Sequence, residues 1–127
     1  MIRILIAMLA ATALWSQESS DYKMTTYQVA FLRRGPNFTQ QSTPETKKLQ
    51  EAHMAHIGAM AKTGKLILAG PLADAGDAAG IFVFDTASID EARAWCDSDP
   101  AIAAGRFQVK LWKWYSAKGI GILPAAK

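Results

Sequence analysis

The chain has 127 residues, with 14 Lys and Arg against 11 Asp and Glu, and half of its residues are hydrophobic. That length fits one domain and excludes two domains of ordinary size. The net charge is +3, but the basic residues are scattered, so the sequence lacks the clustered basic face that nucleic-acid binding requires.

The first 16 residues have the layout of a secretory signal peptide. A short basic start at residues 1–3 precedes an uncharged apolar run at residues 4–14. We expect cleavage after Ser16 and export to the periplasm or the medium. The run is shorter than the roughly 20 apolar residues of a membrane span, so no stable span is expected. The alternatives are an uncleaved N-terminal anchor and translation from Met24, which would leave a cytoplasmic protein.

The rest of the chain divides into a polar leader at residues 17–24, a domain at residues 25–116 and an irregular tail at residues 117–127. The first predicted strand covers residues 26–34, where β-branched and aromatic side chains are frequent. Gly35–Pro36 ends this strand and leads into a polar loop.

The first helix is predicted to begin near Ser42 to Pro44, and Pro44 suits the first turn because proline brings no NH that needs a partner there. Ser42 and Glu45 have the spacing of a capping box. The helix is expected to run to about Lys62, and Gly64 favours a left-handed stop just beyond it.

Two short apolar strands follow at residues 65–70 and 80–85, joined by a turn rich in Gly, Ala and Asp. The second helix begins at Ser88, which has Glu91 three residues on as another capping-box pair. It is interrupted at Asp99–Pro100, where Asp99 is suited to cap a further short helical turn.

The last predicted strand covers residues 106–115, and its apolar positions change faces at Trp112 and Trp114. The order of elements is that of the split βαβ, or ferredoxin-like, fold. We therefore predict an α+β domain with a four-stranded antiparallel sheet and two helices on one face. The other face is too apolar for water, and a homodimer through this open face is the simplest solution. A stacking platform for a ring is the minority interpretation of the tryptophans.

Cys96 is the only cysteine, which excludes an internal disulfide and a Cys-based zinc cluster. It lies in a helical segment and is interpreted as a small core residue, since no neighbour would obviously lower the pKa of its thiol. The sequence also contains no G-x-S-x-G, P-loop, dinucleotide-binding or H-E-x-x-H motif.

His53 and His56 fall on the apolar stripe of the first helix. An imidazole held against an apolar face needs a hydrogen-bond partner and is suited to proton transfer near neutral pH. Two interpretations remain open for His53, a satisfied core histidine and the working group of a site. His56 is more readily explained by packing.

Several short motifs follow one another along the chain: H-x-x-x-I from His53, then G-K-L-I-L-A-G-P-L, a strand, A-R-A-W, D-P and A-G. In this order they resemble the YCII-related (YciI-like) family of the dimeric α/β-barrel superfamily, over the segment from His53 to about Trp114. Ala101 departs from the pattern, because relatives often have an aromatic residue after D-P. The resemblance implies a ferredoxin-like dimer with a cleft that holds a paired histidine and aspartate.

The resemblance makes His53 and Asp99 the candidate catalytic pair. It makes Gly70, Pro71, Asp74 and His56 candidates for substrate binding, and His56 stands where many relatives have another polar residue. A carboxylate bonded to one imidazole nitrogen fixes the tautomer and leaves the other nitrogen free as a base. Asp99 is almost as readily interpreted as a purely structural helix cap.

The resulting hypothesis is a small enzyme without a cofactor, which performs isomerase- or lyase-like acid–base chemistry on a small organic substrate. Arg33 or Arg34 is a candidate to neutralise an anionic substrate. A metal site is not predicted, because two histidines at a spacing of three are common by chance. The alternatives are a non-catalytic exported dimer that binds a small ligand, and a purely structural interaction domain.

Overall fold

The computed structural model describes residues 23–73 and 76–119. Within these ranges the chain forms four strands and three helices. In chain order they are β1 (Met24–Arg34), α1 (Pro44–Lys62), β2 (Leu66–Pro71), β3 (Ala78–Phe84), α2 (Ile89–Asp97), α3 (Pro100–Ala103) and β4 (Phe107–Ala117). The predicted order of elements is confirmed, and the short turn predicted after Asp99 is α3.

The strands form one antiparallel sheet in the order β2-β3-β1-β4. β1 lies in the centre, paired with β4 along its whole length and with β3 from Gln28 to Arg33. A β-bulge between Leu66 and Leu68 shifts the register of the edge strand β2 against β3. This is the α+β, ferredoxin-like arrangement predicted from the sequence.

The start of α1 differs from the prediction by one residue. Thr43, not Ser42, is the N-cap, and its hydroxyl accepts a hydrogen bond from the Thr46 NH at 3.2 Å. The Thr46 hydroxyl in turn accepts from the Thr43 NH at 2.9 Å, which completes a capping box. Ser42 is wrong as the cap because Thr43 already satisfies the first free NH groups. At the other end, Gly64 has the left-handed φ of 76° expected of a helix stop.

The N-terminus of α2 contains half of the predicted capping box. The Ser88 hydroxyl accepts from the Glu91 NH at 3.1 Å. The Glu91 carboxylate reaches past Ser88 and accepts from the Ala87 NH at 3.1 Å. Its other oxygen pairs with Lys65, at the entry to β2, so this carboxylate ties α2 to the sheet.

The two faces of the sheet have different surroundings. The helix side holds the main core, in which strand residues such as Ala30, Phe84 and Leu111 contact helix residues such as Met60 and Cys96. The open side carries a smaller apolar cluster built on strand residues alone: Tyr27, Val29, Val83, Ile67 and Ile81. The sheet is therefore apolar on both faces but is covered by helices on one.

The predicted signal peptide at residues 1–16 lies outside the described residues, as do nearly all of the leader at 17–24 and most of the tail at 117–127. The described strands and helices extend from Met24 to Ala117. No helix in the described part of the chain is long and apolar enough to cross a membrane.

Candidate functional site

His53 lies on the face of α1 that covers the sheet. Its residue is 7% exposed, and its ring lies 5.3 Å from the ring of Phe107 on β4 and 6.3 Å from that of Phe82 on β3, measured between centroids. Aromatic contacts on two strands therefore hold the imidazole in place. The ring also forms part of the wall of a cavity.

Asp99 meets this ring from the corner between α2 and α3. It is completely buried, and its Oδ2 lies 2.7 Å from His53 Nδ1. Its Oδ1 accepts from the Ala101 NH at 2.9 Å, which makes Asp99 the N-cap of α3. The predicted contact with His53 and the predicted helix cap are both present, because each interaction uses a different oxygen of one carboxylate.

The local sequence explains how Asp99 comes to this position. Ser98 ends α2, and Pro100 occupies the first turn of α3, where its missing NH costs nothing. Asp99 between them has extended backbone, with φ −70° and ψ 121°. Its side chain consequently turns back over the start of α3 toward α1, while Ala101 is fully buried beneath the corner.

The cavity beside His53 has a volume of about 370 Å³. Its walls are mainly apolar side chains, including Leu32, Ile57, Phe82 and Phe107. One rim is backbone from Gly70, Pro71 and Gly80. A Cβ at Gly80 would lie 2.9 Å from the Gly70 carbonyl oxygen, so a residue without a side chain is needed at that point. The volume is at the small end of the range for ligand pockets, about 300–1,000 Å³.

The electrostatics of the pair follow from the contacts. A carboxylate only accepts hydrogen bonds, so His53 Nδ1–H donates to Asp99 Oδ2. In the neutral ring this tautomer places the lone pair on Nε2. Among the described residues Nε2 has no hydrogen-bond partner, and the imidazole can therefore exchange a proton with a molecule in the cavity.

A comparison with protein-family models matches residues 29–115 to the YCII-related domain. The chain belongs to the YCII-related family. The match includes every strand of the sheet at least in part, and both His53 and Asp99. The family predicted from the sequence motifs is thereby confirmed. A comparison with curated proteins finds no match.

Among solved structures, this YCII-related chain is similar to 5-chloro-2-hydroxyhydroquinone dehydrochlorinase (TftG) from Burkholderia phenoliruptrix AC1100, in complex with 2,5-dihydroxybenzoquinone. The TM-score is 0.51 and the sequence identity 21%, and the match covers 69% of this chain and 92% of the dehydrochlorinase. At that identity the likeness concerns the fold, and it agrees with the ferredoxin-like architecture described above.

Only some of the other candidate binding residues of the YCII-related domain line the cavity. Gly70 and Pro71 line the cavity, as expected of a substrate-binding segment. Asp74 lies outside the described residues. His56 does not line the cavity; its Nε2 lies 2.8 Å from the Trp95 carbonyl oxygen, and its ring packs beside the Trp95 ring. His56 thus links α1 to α2.

The two arginines considered for anion binding also lie elsewhere. Arg33 Nε is 4.0 Å from Asp77 Oδ2, and both side chains are largely exposed. The Arg34 guanidinium stacks on Phe38, 4.7 Å from the ring centroid. Neither arginine lines the cavity, so neither is placed to neutralise a substrate held there.

Cys96 is fully buried in the main core, as predicted. Burial, with the charges of Asp97 and Asp99 adding to it, raises the pKa of this thiol to about 12. A thiol with that pKa is almost entirely protonated at neutral pH and is a poor nucleophile. Among the described residues no group of three or more His, Cys, Asp or Glu is arranged to hold a metal ion.

Among the α1 residues of the cavity wall, Gln50 and Met54 were not predicted from the sequence. With His53 and Ile57 they follow the spacing i, i+3, i+4, i+7 and so share one face of α1. That spacing is visible in the sequence. It was insufficient by itself, because it does not show which face of α1 borders a cavity.

Proposed function

We propose that this YCII-related protein is a small enzyme that uses His53 Nε2 as an acid–base group and Asp99 as the residue that positions it. The observation that carries the proposal is the 2.7 Å contact between His53 and a fully buried carboxylate at the wall of a ligand-sized cavity. Because His53 lines this cavity, a small molecule that enters it would lie next to the histidine.

The proposed reaction begins with transfer of a proton from a substrate carbon next to a carbonyl to His53 Nε2. Asp99 keeps the Nδ1 proton in place and stabilises the imidazolium that forms, as carboxylates do in other histidine sites. Return of the proton to a different atom gives an isomerisation, and departure of a leaving group gives a lyase-like elimination. Such acid–base assistance typically contributes about 10²–10⁴ in rate.

The substrate is proposed to be a small organic molecule of ring size. The cavity supports this because its walls are mostly apolar and its volume is about 370 Å³. The dehydrochlorinase with a similar fold also supports it, since its structure holds 2,5-dihydroxybenzoquinone. Its sequence identity to this chain is too low to transfer its reaction.

The test is turnover of a panel of small lactones and hydroxylated rings by the wild type and by two variants, His53→Ala and His53→Gln. Gln can still bond to Asp99 but cannot exchange a proton at the relevant step, so it separates catalysis from folding. We expect kcat to fall about 10²–10⁴-fold in both. Lys62→Gln, an exposed change on the same helix, should leave kcat unchanged. Equal kcat in the wild type and in folded His53→Gln would end the proposal.

A non-catalytic exported ligand-binding dimer is the second candidate, favoured by the same cavity together with the apolar open face. A thermal-shift screen separates it from the enzyme. Ligand binding to the folded state raises the melting temperature whether or not the ligand reacts. Compounds that stabilise the protein and are recovered unchanged after long incubation would favour this second function.

We also propose that a second copy of the chain covers the open sheet face. A groove on this face is lined by Val29, Phe31, Leu68, Ile81, Val83, Trp112, Lys113 and Trp114. Trp112 and Trp114 are 51% and 42% exposed there, which is unfavourable in water. Sedimentation should show a dimer that Trp112→Lys converts to a monomer. Tyr115→Lys is the control, because Tyr115 is 68% exposed but lies outside the groove. A monomeric wild type would exclude this partner.

Export is the last part of the proposal, and it is based on the sequence of residues 1–16 alone. Expression of the full chain in a bacterial host followed by N-terminal sequencing tests it directly. We expect the mature protein to begin at Gln17 in the periplasmic or secreted fraction. A cytoplasmic protein that retains Met1 or begins at Met24 would contradict export.

A further inference from the structure

Gln50 is the second polar side chain in the cavity wall. It lies one helical turn before His53 on α1, and side chains three residues apart on a helix are neighbours on one face. Gln50 is exposed, and among the described residues its amide has no hydrogen-bond partner. Its amide is thus free to bond to a molecule that enters the cavity.

No Lys, Arg, Asp or Glu occurs among the described residues that line the cavity. Even when His53 is protonated, its pair with the Asp99 carboxylate, 2.7 Å from the ring, carries no net charge. An anionic substituent held here would lose its hydration without gaining a cation, which is strongly unfavourable. An uncharged oxygen substituent needs only one hydrogen bond in exchange.

From these two observations we infer that Gln50 determines which substrate the cavity accepts, and that this substrate is an uncharged small ring with a carbonyl or hydroxyl oxygen. The Gln50 amide NH₂ donates to a carbonyl oxygen, and its carbonyl accepts from a hydroxyl. The inference rests on the proposed function, because it assigns the substrate class of the same site. It assigns Gln50 a role in selectivity and leaves proton transfer to His53.

The test uses three rings of matched size: cyclohexanone, which only accepts hydrogen bonds; cyclohexanol, which donates and accepts; and cyclohexanecarboxylate, which is anionic. Their dissociation constants are measured by NMR titration of the full-length protein. We expect the wild type to bind the two uncharged rings at least about tenfold more tightly than the carboxylate, because the cavity offers the carboxylate no free cation.

Two substitutions of Gln50 then separate hydrogen bonding from packing. Gln50→Leu keeps the size of the side chain but removes its polar atoms, so binding of both uncharged rings should weaken about two- to tenfold. The Gln50→Glu side chain offers only hydrogen-bond acceptors, so this variant should still bind cyclohexanol but should no longer bind cyclohexanone. A change in the alcohol-to-ketone ratio is a readout that a purely structural role for Gln50 would not produce. Gln40→Leu, an exposed loop change outside the cavity wall, is the control and should alter none of the three constants.

Three results would each overturn the inference: tighter or equal binding of the carboxylate, unchanged constants in Gln50→Leu, or no saturable binding of any ring by the wild type. These results are distinguishable from failure of the proposed function. Binding of unreactive rings does not require a base, whereas the proposed function is tested by turnover in His53→Gln. If the wild type binds the rings selectively and His53→Gln shows undiminished turnover, His53 is not the base, but the role of Gln50 in selectivity stands.

Discussion

Two hollows of the same volume, about 370 Å³, lie on opposite faces of one sheet. The hollow on the helix side includes His53 and Gln50 in its wall. The hollow on the open side is lined by apolar side chains and Lys113. Size and apolar character therefore do not distinguish a candidate site from a contact surface on this sheet. The distinction comes from a polar group that the fold orients, such as the imidazole on Asp99.

The strongest test of this contrast removes one phenylalanine from each face. Phe84 on the helix side is completely buried, whereas Phe31 on the open side is 45% exposed. Phe84→Ala should lower the free energy of unfolding by about 3–5 kcal/mol at any protein concentration. Phe31→Ala should lower the free energy of unfolding by less than this at low concentration and by more as concentration rises, because it would weaken the proposed dimer. Urea unfolding at two concentrations measures both, and equal, concentration-independent losses would contradict the contrast.

The reactivity of the Cys96 thiol tests the packing of the helix side without any substitution. Its thiol pKa of about 12 lies three units above the ordinary value of 9.0, so near pH 8 the thiolate should be about a thousandfold scarcer than in the unfolded chain. Alkylation by iodoacetamide should therefore be slow in buffer and fast in urea, as measured by mass spectrometry. Rapid labelling of the folded protein would show that the helix layer opens readily.

Asp99 should contribute less to stability than Phe84 but more than an exposed charge. Asp99→Ala removes the cap on the Ala101 NH and leaves His53 Nδ1 buried without an acceptor, at a cost of about 2–3 kcal/mol. Asp99→Asn should recover part of this loss, because its amide oxygen can still accept from Ala101. Its NH₂ would then face Nδ1 and favour the opposite tautomer of His53. Thermal unfolding and the ¹⁵N shifts of the ring measure the two effects, and an unchanged tautomer would contradict the assignment.

The smallest expected effect comes from Glu91, which ties α2 to the start of β2. Its hydrogen bonds with Lys65 and with the Ala87 NH lower the pKa of this carboxyl from its ordinary value of 4.5. The folded pKa lies below the unfolded one, so this stabilisation is present above about pH 4.5 and is lost as pH falls through the folded pKa. The melting temperatures of wild type and Glu91→Gln should differ slightly at pH 7, and the difference should shrink as pH falls below the folded pKa of Glu91. A difference in melting temperature that grows as pH falls would contradict a lowered pKa for Glu91.

Much of the fold was predictable because local signals and global order agree. Apolar, β-branched and aromatic residues indicated the strands, Pro44 and Gly64 marked the ends of α1, and the order of elements specified the sheet. The errors in the predicted boundaries arise where neighbouring residues give similar local signals. Adjacent Ser42 and Thr43 are both good caps, and only the tertiary structure chooses between them. The first residues of β3 are small and resemble a turn, so the predicted strand began at residue 80 and not at Ala78.

The site was predictable only in part. His53 and Asp99 are 46 residues apart, and the family motifs, not periodicity, joined them. Helical spacing placed His53 and His56 on one stripe. It does not show that His56 bonds to Trp95 on α2 while His53 borders a cavity. Gln50 was missed for the same reason, since its position depends on what lies across from α1. Such information resides in contacts between elements, which a single sequence does not contain.

The two oxygens of Asp99 have a consequence for how the site forms. One oxygen caps α3 and the other bonds to the histidine, so the corner between α2 and α3 and the orientation of the imidazole depend on the same carboxylate. A molecule in which that corner has opened retains its cavity wall on α1 but loses control over which ring nitrogen carries hydrogen. The NMR signal of the His53 Nδ1 proton therefore reports whether the first turn of α3 has formed.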